Sequence, residues 1–136
     1  MRHSHSDPEV EAYISKAGRD LATAKHMAEK GSDFADVICF HAEQCAEKSL
    51  KALLLASGRL PPRTHDLVLI HRTIVEIAPH MADLEPHCLQ LTDYAVAPRY
   101  PGWEDVAGSV DMLGVIESAR TILERSIEEL GLRVSP

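Results

Sequence analysis

Four polar residues whose side chains suit an anion recur at helical spacing in the middle of the chain. His41, Gln44, Lys48 and Lys51 lie at offsets of zero, three, seven and ten, so an α-helix places them in one row, here called the polar stripe. An imidazole, an amide and two ammonium groups together suit a phosphate or nucleotide. The row is equally compatible with a solvated helix face, on which Glu47 supports Lys51 at i,i+4 spacing.

A second group of candidate binding residues surrounds the predicted start of a helix. Thr64 and Asp66 are residue types that cap a helix by accepting hydrogen bonds from its first N–H groups. The same N–H groups, with Arg63 and His65 beside them, also suit a phosphate. We therefore expect Arg63, His65 and Asp66 either to bind a ligand or to begin a helix.

A proline-bounded loop carries the third group, Arg99 and Tyr100. A tyrosine or Trp103 can stack on a nucleic-acid base while Arg99 binds a phosphate. In the alternative interpretation, Trp103 fills the core and Arg99 pairs with Glu104 or Asp105.

Metal and nucleophile signatures are weak. His41 and Cys45 lie four apart, but no second pair repeats with zinc-like spacing, so we expect neither a metal ion nor a cofactor. The 3 cysteines show no CxxC spacing, which favours free thiols in a reducing cytoplasm.

Nearly every segment has apolar residues at spacings of three and four, the period of an α-helix. Capping residues, glycines and prolines mark where these segments end. The predicted helices run from a start at Ser6-Asp7-Pro8-Glu9 to Gly31, from Ser32 or Asp33 to Gly58, from Thr64 or Asp66 to Pro79, from 83 to 95, and from Val106 to Gly131. This pattern predicts an all-α fold, an up-and-down bundle of four or five helices. Residues 1–136 form a single domain, with residues 1–6 expected as a flexible tail.

Composition agrees with this fold and excludes some functions. Apolar residues make up 45% of the chain but aromatic residues only 4%, which favours closely packed helices over a sheet. The formal net charge of −7 argues against non-specific binding to DNA or RNA, although a local basic patch remains compatible with it. No apolar run approaches the ~18–20 residues that a membrane span needs, and the first residues lack an apolar signal-peptide segment. We expect a cytoplasmic protein without membrane contact.

One face of the second predicted helix carries small residues and allows another helix to approach closely. Such faces often serve two-fold dimers, so we expect a homodimer. The residues of this face are Ile38, Ala42, Cys45, Ser49, Ala52 and Ala56.

Several segments together resemble a known family. His41, Gln44, Lys48 and Lys51-Ala52 are followed, at a characteristic distance, by Thr-His-Asp-Leu ending at Leu67. With these, the segments 17–24, 36–52, 62–67 and 97–101, and Tyr94, resemble the HEPN domain, a small helical domain whose name refers to nucleotide binding in higher eukaryotes and prokaryotes.

The resemblance implies a dimerising helical bundle that is often encoded beside a minimal nucleotidyltransferase, the two commonly acting as toxin and antitoxin. Many relatives are metal-independent ribonucleases whose signature is an Arg followed, after four to six residues, by a His on a late helix. Here Arg99 has Trp103-Glu-Asp-Val106 where that His should fall. The signature is therefore absent from its usual place, and we expect no catalysis.

Three functions remain. The first is a non-catalytic module that partners a nucleotidyltransferase and binds a nucleotide or RNA phosphate between the polar stripe, Arg63-Thr-His-Asp66 and Arg99-Tyr100. The second is a ribonuclease toxin in which His41 or His65, from either subunit of a dimer, acts as a base beside Arg99. The third is a purely structural dimerisation domain.

Overall fold

A computed structural model describes residues 7–131, with the side chain of Ser32 left aside. The predicted flexible tail, residues 1–6, lies outside this range. Six α-helices account for most of the described chain, and no strand occurs within it, so the all-α prediction is confirmed. The helices are α1 (Pro8–Ala28), α2 (Ala35–Ala56), α3 (Leu67–Ile77), α4 (Glu85–Leu91), α5 (Trp103–Ala107) and α6 (Met112–Leu130).

The first helix begins where the sequence predicts. Asp7 Oδ1 accepts a hydrogen bond from the backbone N–H of Glu9 at 2.8 Å, and Pro8 occupies the first turn, where its missing N–H has no cost.

The second helix begins differently. A 3-10 turn, Ser32–Phe34, leads directly into α2, and the N-cap is Phe34, which makes no side-chain capping bond. The predicted capping of α2 by Asp33 is therefore wrong, and the side chain of Ser32, the other candidate, lies outside the described part of the chain.

The last predicted helix is divided in two. Helix α5 ends at Ala107, and the Ser109 hydroxyl donates to the Val106 carbonyl at 2.7 Å, closing the turn. Asp111 then accepts from the backbone N–H of Gly114 at 3.0 Å and begins α6. Gly108 is the C-cap of α5 and Asp111 is the N-cap of α6, so the chain starts a new helix here. The helix predicted over residues 83–95 is shorter in the structure. Only α4 is α-helical there, and the 3-10 turns Pro79–Leu84 and Thr92–Ala95 flank it.

Helix α2 lies at the centre of the bundle. It packs along α1 and α6 and also contacts α3 and α4. Its small-residue face is buried inside the chain, since Ala42, Cys45, Ser49 and Ala52 have no exposed surface. This face therefore serves contacts within one chain, and the expectation that it forms a dimer interface is wrong.

No helix within residues 7–131 is both long enough and apolar enough to cross a bilayer.

Candidate functional site

The polar stripe faces a carboxylate from the neighbouring helix. Asp20 of α1 is only 8% exposed, and its Oδ1 accepts from Nδ1 of His41 at 2.8 Å. Its Oδ2 accepts from Nζ of Lys48 at 2.6 Å. An ionised carboxylate only accepts hydrogen bonds, so the proton of this bond belongs to Nδ1 of His41. Asp20 thereby fixes the imidazole and the ammonium side by side.

Asp20 is a member of this cluster that the sequence reasoning missed. It lies three residues after Ala17 and four before Ala24, both of which are fully buried, so helical spacing places it on the inward face of α1. A charged residue on a buried face needs a partner, and here cations of the helix packed against it supply one. The signal was therefore present in the apolar pattern of α1.

The other half of the polar stripe faces a second carboxylate. Glu47, whose side chain is 6% exposed, accepts from Nζ of Lys51 at 2.9 Å and from Nδ1 of His65 at 2.9 Å. The predicted i,i+4 pair of Glu47 and Lys51 is thus present. It lies in a nearly buried position, since the Lys51 side chain is only 13% exposed. The polar stripe is therefore not a freely solvated helix face.

A third carboxyl group, Glu43, is fully buried next to this pair. Its Oε1 accepts from Nε2 of Gln44 at 2.8 Å, whereas its Oε2 has no hydrogen-bond partner within the described chain when both glutamates are ionised. Burial, followed by the charge of Glu47 and a hydrogen bond with it, raises the pKa of Glu43 from 4.5 to about 9.

Burial opposes the ionised form of Glu47 too, but hydrogen bonds from Lys51, His65 and Glu43 outweigh it and lower the pKa of Glu47. At neutral pH the two glutamates therefore share one proton, and that proton resides on Glu43. The proton turns Oε2 of Glu43 from an acceptor without a partner into a hydroxyl that donates to Glu47.

The start of α3 is a capped helix terminus. Asp66 Oδ1 accepts from the backbone N–H groups of Val68 at 3.0 Å and Leu69 at 3.2 Å. The N–H of Leu67 donates to the Thr92 hydroxyl at 3.0 Å. Capping by Asp66 is confirmed, and the N–H groups that could have bound a phosphate are bonded within the chain.

A cleft of about 410 Å³ lies beside this terminus and is lined by Thr64, His65, Asp66, Thr92, Asp93, Ala95 and Val96. Its two aspartates make it unfavourable for an anion. Arg63 is exposed and forms no hydrogen bond or ion pair with any residue of 7–131.

The proline-bounded loop contacts α2 through an aromatic ring. The Arg99 guanidinium lies 4.7 Å from the centre of the Phe40 ring, a cation–π contact. The Phe40 ring meets His41 edge to face, with ring centres 5.4 Å apart. Tyr100 is 62% exposed.

Trp103 is nearly buried and meets Tyr94 edge to face at 5.9 Å, so it belongs to the core. Arg99 forms no ion pair with Glu104 or Asp105 in the described structure, and that part of the alternative interpretation is wrong.

Four of the nine predicted site residues lie on α2, and together with His65 they form two clusters. Asp20 joins His41 and Lys48, while Glu43 and Glu47 join Gln44, Lys51 and His65. Arg99 reaches the first cluster through Phe40, whereas Arg63 and Tyr100 stay apart. Neither Arg99 nor His65 hydrogen-bonds to His41 or Lys48 within residues 7–131.

Other chemistry is poorly supported in this part of the chain. Across residues 7–131, no three His, Cys, Asp or Glu side chains are grouped so as to hold a metal ion. The thiols of Cys39, Cys45 and Cys88 are buried, and burial raises the pKa of each to about 12. Such thiols are not nucleophiles at neutral pH.

Comparison with known proteins places this site in context. The chain is 29% identical over 96 residues to a protein of Methanocaldococcus jannaschii described as a candidate toxin, MJ1304. The match covers 65% of this chain, which spans about three fifths (61%) of the length of that relative.

The fold is similar to the crystal structure of TT1696 from Thermus thermophilus, with a TM-score of 0.76 at 24% identity. That superposition covers 91% of this chain and 99% of the other. The family model of the HEPN domain matches residues 10–130, which include both clusters and Arg99. The chain belongs to the HEPN domain family.

Proposed function

We propose that this chain is a HEPN module that binds the phosphate of a nucleotide or RNA at the His41 and Lys48 end of the polar stripe. In this proposal it acts in a toxin–antitoxin-like pair with a minimal nucleotidyltransferase. It also forms a homodimer, whose interface lies outside the buried small-residue face of α2.

The observation that carries the proposal is the double hydrogen bond of Asp20. It holds the His41 and Lys48 side chains, which are 29% and 28% exposed, in one fixed arrangement at the surface. An ammonium has three N–H donors, and Lys48 uses one of them on Asp20, so two remain. Nε2 of His41 has no partner within residues 7–131, and it donates to a phosphate in the imidazolium form, since the proton of the neutral ring is on Nδ1. Donors that are already fixed lose little entropy when a phosphate binds.

Two further facts support the biological setting. The relative described as a candidate toxin favours a toxin–antitoxin context for this chain. Membership of the HEPN family agrees with the resemblance that implies a nucleotidyltransferase partner. Co-purification of the chain with a neighbouring nucleotidyltransferase is the direct measurement of that partnership.

Calorimetric titration with ATP and with a short single-stranded RNA tests phosphate binding. We expect at least one of them to bind, with an affinity that falls as salt concentration rises. Lys48→Gln removes a donor and is expected to weaken binding about tenfold, a change of ~1.4 kcal/mol. Lys25→Gln, an exposed lysine in the last turn of α1, is the matched control and should bind like the wild type.

Circular dichroism confirms that each variant is folded, and His41→Gln replaces Lys48→Gln should the latter unfold. The absence of heat with both ligands would refute the proposal, as would equal affinities of the wild type and both stripe variants.

One arrangement favours ribonuclease activity as a second candidate function. Asp20 binds Nδ1 of His41 and leaves Nε2 free, the geometry of a histidine that serves as a general base. Nε2 would take the proton of a ribose 2′-hydroxyl, whose oxygen then attacks the adjacent phosphorus. The bond to the 5′ oxygen breaks, that oxygen takes a proton from solvent, and a 2′,3′-cyclic phosphate remains. Arg99, beside Phe40, would stabilise the charge of the transition state.

Incubation of RNA with the purified chain in EDTA tests this second function. This second function predicts cyclic-phosphate products whose formation falls at least a hundredfold in His41→Gln, the usual contribution of a general base. His80→Gln is the control, since His80 is an exposed histidine that pairs with Glu129 instead. Intact RNA with the wild type, or equal cleavage by His41→Gln, would exclude it.

A further inference from the structure

A cleft of about 260 Å³ lies where three helices end, and it is here called the terminal cleft. Ser57, the C-cap of α2, and Ala78, the C-cap of α3, line it together with Glu129 from the last turn of α6. No residue of the polar stripe lines it, so it is separate from the phosphate site of the proposed function. The other residues that line it are Leu53, Ile74, Ile77, Pro79 and His80.

The three helix ends give this cleft a negative potential. The C-terminal end of a helix carries a partial negative charge, because its last carbonyl groups lack helical donors. None of the three helices has a basic residue in its last turn to compensate that charge. Pro79 adds to the effect at α3, since it has no N–H to donate to the Val75 carbonyl four residues earlier. The terminal cleft therefore favours a cation.

Glu129 supplies a full negative charge at the same place. Its side chain is 26% exposed, and its Oε1 accepts from Nε2 of His80 at 2.6 Å. Its Oε2 accepts no hydrogen bond from any residue of 7–131, and no Lys or Arg lines the terminal cleft. One carboxylate oxygen thus remains for a ligand that carries N–H donors and a positive charge.

The walls of the terminal cleft are aliphatic. Leu53 and Ile74 are nearly buried, and Ile77, which is 41% exposed, lies closer to solvent. No Phe, Tyr or Trp lines the cleft, so a flat ring finds no stacking partner there. The volume exceeds the ~150 Å³ of an apolar cavity that holds benzene and falls below the ~300–1,000 Å³ usual for drug-sized ligands. A short aliphatic chain fits these walls.

We propose that the terminal cleft binds a small aliphatic amine in its ammonium form. The alkyl chain packs against Leu53, Ile74 and Ile77, and the ammonium donates to Oε2 of Glu129 beside the three helix ends. This site goes beyond the proposed function and shares no residue with it.

Titration with pentylamine, 1-pentanol and pentanoate at neutral pH, followed by backbone amide NMR shifts, tests this proposal. The three probes share one alkyl chain and differ in the head group. We expect pentylammonium to shift the amides of Ser57, Ala78 and His80 and to bind at least tenfold more tightly than pentanol, with pentanoate weakest. Glu129→Gln should weaken pentylammonium about tenfold and leave pentanol unchanged. Glu128→Gln is the matched control, since this exposed neighbour carries the same charge and does not line the cleft.

A second variant tests the apolar wall and serves should Glu129→Gln fail to fold, which circular dichroism shows. Ile77→Ala should weaken pentylammonium and pentanol alike, about fivefold, because both lose the same apolar contact. Unchanged affinities in this variant would place the binding elsewhere and overturn the proposal. Equal affinities for pentylammonium and pentanol would also overturn it, as would equal ammonium affinities in the wild type and Glu129→Gln, or no shift at the amides of the cleft.

Discussion

Replacing Asp20 with alanine is expected to lower the free energy of unfolding by about 2 kcal/mol. The carboxylate is nearly buried and binds two cationic or protonated groups at 2.8 Å and 2.6 Å. Breaking a buried ion pair typically costs ~3–5 kcal/mol, whereas an exposed pair contributes ~0–1 kcal/mol. Since His41 and Lys48 are about 30% exposed, water stabilises them partly after the loss, and the expected value falls between these limits.

Urea unfolding followed by circular dichroism measures this loss. Asp20→Asn keeps one oxygen acceptor without the charge and should lose about half as much stability. The double variant Asp20→Ala/Lys48→Met removes both charges and should recover part of the loss, because no unpaired ammonium remains. A loss below ~0.5 kcal/mol in Asp20→Ala would mean that the network behaves like a surface pair.

The same residue shows how far the sequence alone could lead. Helical spacing predicted every long helix, and the sequence offered Asp66 as one of two caps of α3, because a cap and an apolar period are local signals. The spacing of His41, Gln44, Lys48 and Lys51 was also local. The carboxylate that faces His41 and Lys48 is not a local signal. Asp20 lies 21 residues before His41 and reaches it only because α1 packs on α2.

The division of the last predicted helix has a similar cause. The apolar period continues from Val106 to Leu130, so spacing favours one helix, but Asp111 competes for the backbone N–H of Gly114. A sequence pattern alone does not show whether an Asp side chain caps a new helix or lies within a continuous one, because both are compatible with the same apolar spacing. The positions of Arg63 and Tyr100, which join neither cluster, follow from loop geometry that no periodic pattern encodes.

Replacing Glu43 with glutamine is expected to change how stability depends on pH. The pKa of Glu43 is about 9 in the folded chain and 4.5 in its ordinary state, so between these values the folded chain holds one proton more than the unfolded chain. Stability contributed by this carboxyl is therefore fully present below pH ~4.5 and is lost as pH rises through the folded pKa. A single proton changes the free energy of unfolding by at most ~1.4 kcal/mol per pH unit.

Glutamine has nearly the shape of a protonated glutamate and does not titrate. Relative to the wild type, Glu43→Gln should therefore gain about 1 kcal/mol of stability for each pH unit between pH 5 and 8, as long as Glu47 stays ionised. Glu47→Gln should behave differently and lose about 2 kcal/mol at pH 7, because Lys51 and His65 lose a nearly buried charged partner.

Urea unfolding at several pH values measures both effects, with Glu124→Gln, an exposed glutamate of α6, as the control. Parallel pH profiles of the wild type and Glu43→Gln would show that Glu43 is ionised in the folded chain. In that case the buried Oε2 would need another donor, and Glu43 and Glu47 would not share a proton. A steeper pH profile for the wild type would show that Glu43 is protonated in the folded chain. Of these two glutamates, Glu47 alone is then ionised, and it is the one that accepts hydrogen bonds from Lys51 and His65.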